Sequence, residues 1–300
     1  MNLQELVAEA TAQLAAAHLS FGHGTTQAAD EAAWLVLHAL GLPLDTPLSD
    51  ADEASKRPVS PAEYAQAATL LGARITTRKP AAYLTGEAWL QGVAFYVDER
   101  VIVPRSLIAE LLVDGSLDYW LHEGTHTVLD VCTGNGSLAV LAAMVYPDVE
   151  VTGSDISADA LAVAQINLEK HALQNRIQLL QSDGLGAITG KFDLIVCNPP
   201  YVNAASMAAL PAEYLAEPRI ALDGNAEGGS GDGMDFIRRL LREVTSKMAE
   251  QGVLVLEVGN EREFFEAAFP GLDTIWLETS AGEDQVLLLT QEALSRHFPH

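Results

Sequence analysis

The stretch TVLDVCTGNGS at residues 127–137 decides how this chain folds. Its first five residues have the length and composition of a short buried strand. Gly134 and Gly136 follow at the entrance to an apolar helical run, and glycines there let a ligand approach the backbone closely. A strand that turns through glycines into a helix predicts one unit of an open, mostly parallel sheet with a ligand at its carboxyl end.

The rest of the chain after this stretch continues to alternate strand and helix. Helical runs such as SADALAVAQINLEKH separate the first predicted strands, which is typical of an α/β fold with helices on both faces of a parallel sheet. Three late apolar runs bring the sheet to seven strands, and the last two are too close for a parallel crossover, which predicts an antiparallel pair. The further predicted strands span residues 149–155, 176–183, 192–198, 252–259, 273–279 and 284–290.

The first third of the chain is predicted to be helical. Apolar residues recur there at helical spacing, and Ser60, Pro61 and Glu63 form the signature of a capped helix start. The alternating segment 87–104, with Gly92 between two aromatic-rich runs, predicts a hairpin and an extended connector. We therefore expect a small helical substrate-recognition domain at 1–80, a β-hairpin connector at 81–104 and the α/β domain at 105–300.

Composition places the chain among globular proteins that bury a core, since 49% of its 300 residues are hydrophobic. No apolar run approaches the ~20 residues that cross a bilayer, so we expect no membrane partner. Acidic residues stand where a signal peptide would carry lysines, which predicts a cytoplasmic location. The two cysteines are too few for a disulfide framework and show no ligand spacing with the eight histidines, so we expect no metal site.

The charge balance favours basic partners over nucleic acid. Forty-one acidic and seventeen basic residues give a formal net charge of -24. Such a charge repels phosphates and attracts basic proteins, although many acidic proteins carry their charge for solubility alone. Both interpretations stay open at this stage, and we expect no DNA partner.

Two aspartates end the second and third predicted strands of the sheet. Asp155 in GSDIS follows the glycine loop by about twenty residues, where a carboxylate accepts from both hydroxyls of a ribose. Asp183 in QSDG is placed to accept from an exocyclic amine, although each aspartate alone is equally typical of a turn or cap. A dinucleotide fingerprint would need a third glycine where Ala139 stands. The strand ends together predict a nucleoside-shaped slot without a pyrophosphate cradle.

The fourth predicted strand ends in the tetrapeptide NPPY, residues 198–201. By itself this sequence is typical of a rigid turn after a strand. At a strand end it also supplies fixed acceptors, because Asn198 offers its side-chain oxygen, Pro199 its carbonyl, and prolines restrict the backbone. Tyr201 offers a flat face to a planar group. We predict Asn198, Pro199, Pro200 and Tyr201 as the catalytic residues of a site for a planar group.

These strand ends, in this order and spacing, resemble those of class I methyltransferases that use S-adenosylmethionine. NPPY resembles the signature of enzymes that methylate planar amide or amino nitrogens. The resemblance implies S-adenosyl-L-methionine as the cofactor, held by the glycine loop, by the two strand-end aspartates with the residue after each, and by the asparagine of the tetrapeptide. The predicted cofactor-binding residues are Thr133, Gly134, Asn135, Gly136, Ser137, Asp155, Ile156, Asp183, Gly184 and Asn198.

The connector carries a more specific resemblance. KPAAYLTGEAWLQGVAFYVDERVIVPRS, residues 79–106, resembles the connector of the glutamine N5-methyltransferases, in which a small helical domain precedes the catalytic domain. One branch of that family modifies peptide release factors and has a Pro-Arg-Pro-Glu-Thr-Glu run at this point. VPRSLIAELL at 103–112 and MAALPAEYLAEPRIALDG at 207–224 are instead similar to the branch that modifies a glutamine of large-subunit ribosomal protein three. The resemblance implies that basic protein as the partner, with release factors as the alternative.

Two functions of other classes use the same motifs. A nucleic-acid amino-methyltransferase would apply the tetrapeptide to a flipped base, but the acidic balance and the lack of a basic target-reading domain argue against it. A noncatalytic ribosome-assembly factor with a relic cofactor site is the second alternative. The presence of every motif residue argues against that interpretation.

Overall fold

The computed structural model of the chain describes residues 1–49 and 51–299, which form two units. The first unit contains Met1–Ala88 together with six residues from later in the chain, Pro211–Ala216. The second contains Trp89–Leu210 and Glu217–His300. The boundary at residue 88 lies inside the predicted connector, and no local signal in the sequence marks the six later residues as part of the first unit.

The first unit is helical, as predicted. In its longest helix the Ser60 hydroxyl accepts from the Glu63 N–H, and the Glu63 carboxylate accepts from the Ser60 N–H. This capping box, with Pro61 in the first turn, satisfies donors that a helix start leaves open. The helices are α1 (Leu3–Ala16), α2 (Ala28–Ala39), α3 (Pro61–Thr77) and α4 (Ala81–Thr85).

The first unit also contains a buried network of ion pairs. Arg74 is completely buried, and its Nε lies 2.6 Å from Glu31 Oε1. Glu213 is buried as well, with Oε1 lying 2.8 Å from Arg78 Nε and 3.7 Å from Arg74 Nη1. Because Glu213 belongs to the Pro211–Ala216 segment, opposite charges tie that segment to α3.

The predicted hairpin and all seven predicted strands of the large sheet are present. The hairpin consists of β1 (Glu87–Leu90) and β2 (Val93–Tyr96). Each strand of the large sheet overlaps the run that predicts it. These strands are β3 (Thr127–Val131), β4 (Glu150–Asp155), β5 (Ile177–Gln181), β6 (Phe192–Cys197), β7 (Met248–Glu257), β8 (Ile275–Thr279) and β9 (Gly282–Thr290).

The large sheet has the strand order β5-β4-β3-β6-β7-β9-β8. Neighbouring strands from β5 to β7 pair in parallel, while β9 pairs antiparallel with both β7 and β8. This confirms a mostly parallel sheet with an antiparallel last pair. Successive strands are added toward one edge of the sheet from β3 to β5 and toward the other edge from β6 onward, so the strand order reverses between β3 and β6. Ligands of open α/β sheets bind at the carboxyl ends of the strands at such a point.

Both faces of the sheet are buried. In β6, Leu194 and Val196 belong to one core and Ile195 and Cys197 to the other. Strands buried on two faces have nearly continuous apolar sequences, which explains the runs from which they were predicted. The helices of this unit are α5 (Ile108–Val113), α6 (Ser137–Val145), α7 (Ala158–Lys170), α8 (Ala204–Ala209), α9 (Asp235–Glu243), α10 (Arg262–Ala268) and α11 (Gln291–His297).

Within residues 1–49 and 51–299, no helix combines the length and apolar character needed to cross a bilayer. The same residues contain no group of His, Cys, Asp and Glu side chains arranged to hold a metal ion.

Candidate functional site

A cavity of about 380 Å³ opens in the second unit, at the carboxyl ends of strands β3 to β6. This volume is typical of a small-molecule site. Besides the loops that follow these strands, the lining comes from connector residues 100–102, from the 218–226 segment and from the first turns of α9. The cavity therefore lies where the sheet order predicts a ligand.

The predicted site residues divide into those that line the cavity and those that lie behind the lining. The lining residues among them are Gly134, Asp155, Ile156, Asp183, Gly184, Asn198 and Pro200. The others do not line it and occupy the same loops, and they are Thr133, Asn135, Gly136, Ser137, Pro199 and Tyr201.

The glycine loop is shaped by hydrogen bonds of its buried residues. Thr133 donates through its hydroxyl to Asp130 Oδ2 at 2.5 Å, and the Asn135 side-chain oxygen accepts from the Ser137 N–H at 3.2 Å. Gly134 donates its N–H to Asp155 Oδ2 at 3.0 Å. The polar residues of the loop thus fix its backbone, and Gly134 is the loop residue that reaches the cavity.

Asp130, which our sequence analysis does not single out, is completely buried beneath this loop. Burial raises the pKa of its carboxyl to about 7, although the Thr133 hydroxyl and the Ala139 N–H donate to it. Its Oδ1 and the Nδ2 of Asn135 have no hydrogen-bond partner among the described residues. Unpaired buried polar atoms of this kind commonly bind an ordered water.

Asp155 ends β4 and lines the cavity as predicted. Its Oδ2 accepts from the Gly134 N–H, and its Oδ1 accepts from the Ser157 N–H at 2.9 Å. Burial raises the pKa of this carboxyl despite those bonds. Each carboxylate oxygen accepts more than one hydrogen bond, so Asp155 keeps capacity for hydroxyl groups. The adjacent Ile156 is 46% exposed and gives the cavity an apolar rim.

Asp183 lines the cavity, but it has a partner that the sequence does not reveal. Arg239 of α9 donates to both carboxylate oxygens, at 2.9 Å to Oδ2 and 2.5 Å to Oδ1. The Arg239 guanidinium also lies 5.4 Å from the centre of the Phe236 ring, and both residues line the cavity. The assignment of Asp183 to an exocyclic amine stays a prediction, and any such amine would share the carboxylate with Arg239.

Asn198 follows β6 directly and presents a half-buried amide to the cavity. Its side chain forms no hydrogen bond with any described residue, so the amide oxygen is open to a ligand donor. Pro200 also lines the cavity, whereas the Pro199 side chain is buried behind it.

Tyr201 differs from its expected placement, because it does not line the cavity. Its hydroxyl lies 3.4 Å from Glu257 Oε1, and its ring lies so close to Gly259 that an added Cβ there would be 2.6 Å from a ring carbon. Glu257 is buried and accepts from the Ser106 hydroxyl at 2.5 Å and the Leu107 N–H at 2.9 Å. Burial raises the pKa of Glu257 to about 6. The buried acceptor and the space at Gly259 turn the tyrosine away from the cavity.

The connector reaches the site through a second buried glutamate. Arg105 donates to both carboxylate oxygens of Glu217 at 2.7 Å, and the Val103 N–H donates to the same carboxylate at 2.8 Å. Pro218, next to Glu217, lines the cavity. The VPRS run therefore anchors the segment that forms one wall of the site.

Asp130 could have been noticed from the sequence, because it is an acidic residue inside a predicted buried strand. The other site residues that the sequence analysis missed have no local sequence signal. Arg239 and Glu257 stand in an ordinary amphipathic helix and at the end of an apolar strand, far along the chain from their partners. Arg105 and Glu217 lie in stretches that resemble those of the ribosomal-protein branch, but neither stretch indicates that the two residues pair. Only the fold brings these pairs together.

The reversal of strand order, the cavity beside it and the open asparagine at the end of β6 fit the fold and site of a class I methyltransferase. The family model described as methyltransferase small domain matches residues 111–225.

Relatives that align over nearly the whole chain identify the family within this class. The chain is 49% identical to the ribosomal protein uL3 glutamine methyltransferase of Bordetella pertussis, over 98% of this chain and 96% of the relative. Proteins of the same name from Burkholderia pseudomallei and Neisseria gonorrhoeae are 48% and 46% identical, over 96% and 98% of this chain and 94% and 95% of the relatives. The chain belongs to the family of ribosomal protein uL3 glutamine methyltransferases.

Proposed function

We propose that this chain transfers a methyl group from S-adenosyl-L-methionine to the side-chain amide nitrogen of a glutamine in ribosomal protein uL3, the large-subunit ribosomal protein three. The observation that carries the proposal is the open amide of Asn198 at the cavity, in a chain similar over nearly its full length to enzymes named for that reaction. Relatives named for uL3 disfavour the release-factor alternative.

The residues of the cavity fit the proposed methyl donor. Asp155 retains acceptor capacity for ribose hydroxyls, Ile156 and Phe236 supply apolar surface for a flat base, and the Gly134 main chain lines the cavity without a side chain. The cavity volume of about 380 Å³ suits a ligand of nucleoside size. When bound, S-adenosylmethionine supplies an electrophilic methyl group on a sulfonium.

An amide nitrogen is a weak nucleophile, and the acceptors of the tetrapeptide orient and stabilise it during methyl transfer. An amide nitrogen shares its lone pair with the carbonyl, so it must be held in line with the methyl group and stabilised as it gains positive charge. Asn198 Oδ1 accepts from one N–H of the glutamine, and the Pro199 carbonyl accepts from the other. The prolines restrict the Pro199 carbonyl before reaction, and Asn198 directly follows a buried strand, so both acceptors stabilise the developing charge with limited reorganisation.

The charge of the chain supports a basic protein partner. A formal net charge of -24 attracts a basic ribosomal protein and raises the association rate, and added salt screens this attraction. We assign substrate recognition to the helical unit and the reaction to the cytoplasm, with free or early-assembling uL3 as the substrate. No DNA or membrane partner is part of this proposal.

Mass spectrometry of ribosomal proteins and release factors from cells with and without the gene tests the proposal. We expect methylglutamine in uL3 to disappear in the deletion strain and to return with the wild-type gene, but not with an Asn198→Ala gene. Loss of methylglutamine from a release factor, with uL3 unchanged, would refute the proposal. So would methyl transfer in vitro to rRNA or DNA and not to uL3.

A further inference from the structure

Asn167 of α7 is a completely buried polar residue whose side chain makes three hydrogen bonds. Its Oδ1 accepts from the Tyr96 N–H at 2.7 Å, and its Nδ2 donates to the Tyr96 carbonyl at 2.9 Å. The same Nδ2 donates to the Asn135 carbonyl at 2.9 Å. One side chain thus connects three parts of the second unit: α7, the hairpin and the glycine loop.

Each of the two segments held by Asn167 leads directly to the cavity. Asn135 is followed by the start of α6 and preceded by Gly134, which lines the cavity. Tyr96 ends β2 and continues into the connector, where its hydroxyl donates to Asp98 Oδ2 at 2.9 Å. Asp98 in turn accepts from the Arg100 Nε at 2.9 Å and from its Nη2 at 2.6 Å. Arg100, with the two residues after it, lines the cavity.

Asparagine at position 167 suits the three hydrogen bonds that this side chain makes. An asparagine offers one acceptor and two donors on a short side chain, whereas aspartate offers no donor and leucine offers neither. Asparagine is also a weak helix former, so its place inside α7 costs helix stability. The three hydrogen bonds, made in a fully buried position, offset that cost.

We propose that Asn167 is a positioning residue for the cofactor cavity, because it fixes the connector wall against the glycine loop and thereby sets affinity for the cofactor. It touches neither the cavity nor the predicted reacting groups. The inference rests on the proposed function only in taking S-adenosylmethionine as the ligand.

Calorimetric titration with S-adenosylhomocysteine tests this role without the protein substrate. Asn167→Leu keeps the approximate volume and removes all three hydrogen bonds, and it is expected to raise the dissociation constant by about tenfold or more. Val163→Ala, at another completely buried position of α7, is the matched control for lost stability. The control is expected to leave the dissociation constant within about twofold, because it leaves both segments in place.

A second variant keeps the inference testable if Asn167→Leu does not fold. Tyr96→Phe leaves the bonds to Asn167 intact and removes only the hydroxyl that holds Asp98, and it is expected to raise the dissociation constant by about threefold. When Tyr96→Phe is combined with Asn167→Leu, the rise in the dissociation constant caused by Tyr96→Phe should be smaller than in the wild-type background, because Asn167→Leu has already released the connector. Unchanged affinity in a folded Asn167→Leu or in Tyr96→Phe, strictly additive effects, or an equal loss in Val163→Ala would overturn the inference. Failure of the wild-type protein to bind S-adenosylhomocysteine would instead count against the proposed function.

Discussion

Both units bury carboxylates, but they compensate them in different ways. In the helical unit Glu31 and Glu213 face the arginines Arg74 and Arg78, at 2.6 Å and 2.8 Å. Near the cavity, Asp130 is held by a hydroxyl and an N–H, and one of its oxygens has no partner among the described residues. Burial raises its pKa to about 7, toward the protonated form.

The difference indicates which buried charges serve structure and which serve the site. An ion pair sealed in a core is fixed, and removal of one partner leaves a buried charge that destabilises the fold. Acids with raised pKa values and free acceptor capacity can instead exchange their contacts with a ligand, and such groups concentrate at functional sites. The buried acids of the helical unit are thus held by arginines. The second unit contains both kinds of buried acid, because Glu217 pairs with Arg105 whereas Asp130 lies beneath the glycine loop without a countercharge.

The largest effect is expected from Arg74→Met, which breaks the network of the helical unit. It leaves Glu31 buried without its arginine and should lower the stability of that unit by about 3 to 5 kcal/mol. Denaturant unfolding followed at Trp34, the tryptophan of this unit, measures the loss. Affinity for S-adenosylhomocysteine should change little, because the cavity lies in the second unit.

Arg57→Met is the matched control for that variant. Its partner Glu63 and the arginine itself are both partly exposed, so the change should cost about 1 kcal/mol or less. Equal losses in the two variants would contradict the structural role of the buried ion pairs in the helical unit.

Asn198→Ala is expected to slow methyl transfer strongly while leaving the fold intact. Removal of the open amide should lower the rate of methyl transfer to uL3 by about a hundredfold or more, because a fixed acceptor is lost. Single-turnover assays measure the rate, and calorimetry with S-adenosylhomocysteine should show a much smaller change. Asn175→Ala, at an exposed asparagine away from the cavity, should retain full activity. A folded Asn198→Ala protein with a near-normal rate would show that Asn198 only shapes a turn.

The raised pKa of Glu257 should make the stability of the protein depend on pH. Its folded pKa of about 6 lies above the ordinary 4.5, so folding favours the protonated form. This contribution is complete below the ordinary pKa and is lost as the pH rises through 6, and the shift corresponds to about 2 kcal/mol. Glu257→Gln should therefore gain about that much stability relative to the wild type between about pH 4.5 and pH 7.5. Parallel stability curves for the two proteins would rule out a raised pKa.

The smallest effect expected is that of Asp155→Ala on cofactor affinity. Loss of its acceptors should raise the dissociation constant for S-adenosylhomocysteine by about tenfold, which is about 1.4 kcal/mol. Asp159→Ala removes the same charge from an exposed position one turn along the chain and serves as the control. Equal affinities for these two variants would remove Asp155 from the ribose site.

The sequence predicts the sheet well because its signals are local. Each strand buried on two faces is an apolar run, and each of the strands β3 to β6 ends near a glycine, an aspartate or the tetrapeptide. The same signals mark Gly134, Asp155 and Asn198, and all three line the cavity.

The rest of the site depends on contacts between distant parts of the chain. The partners Asp183 and Arg239 are separated by 56 residues, and Ser106 and Glu257 by 151. No periodicity or motif signals such a pair. Tyr201 shows the same limit, since the position of its side chain is set by Glu257 and Gly259, which follow it by a strand and two helices.

The cavity of the second unit is proposed to hold the methyl donor for transfer to a glutamine amide. The most direct test of this proposal is peptide mapping by mass spectrometry of purified uL3 after reaction with this protein and S-adenosylmethionine. We predict one added methyl group on a glutamine side-chain nitrogen, absent when Asn198→Ala replaces the wild-type protein although that variant still binds S-adenosylhomocysteine. A methyl group on another type of atom, or undiminished methylation by Asn198→Ala, would contradict the account.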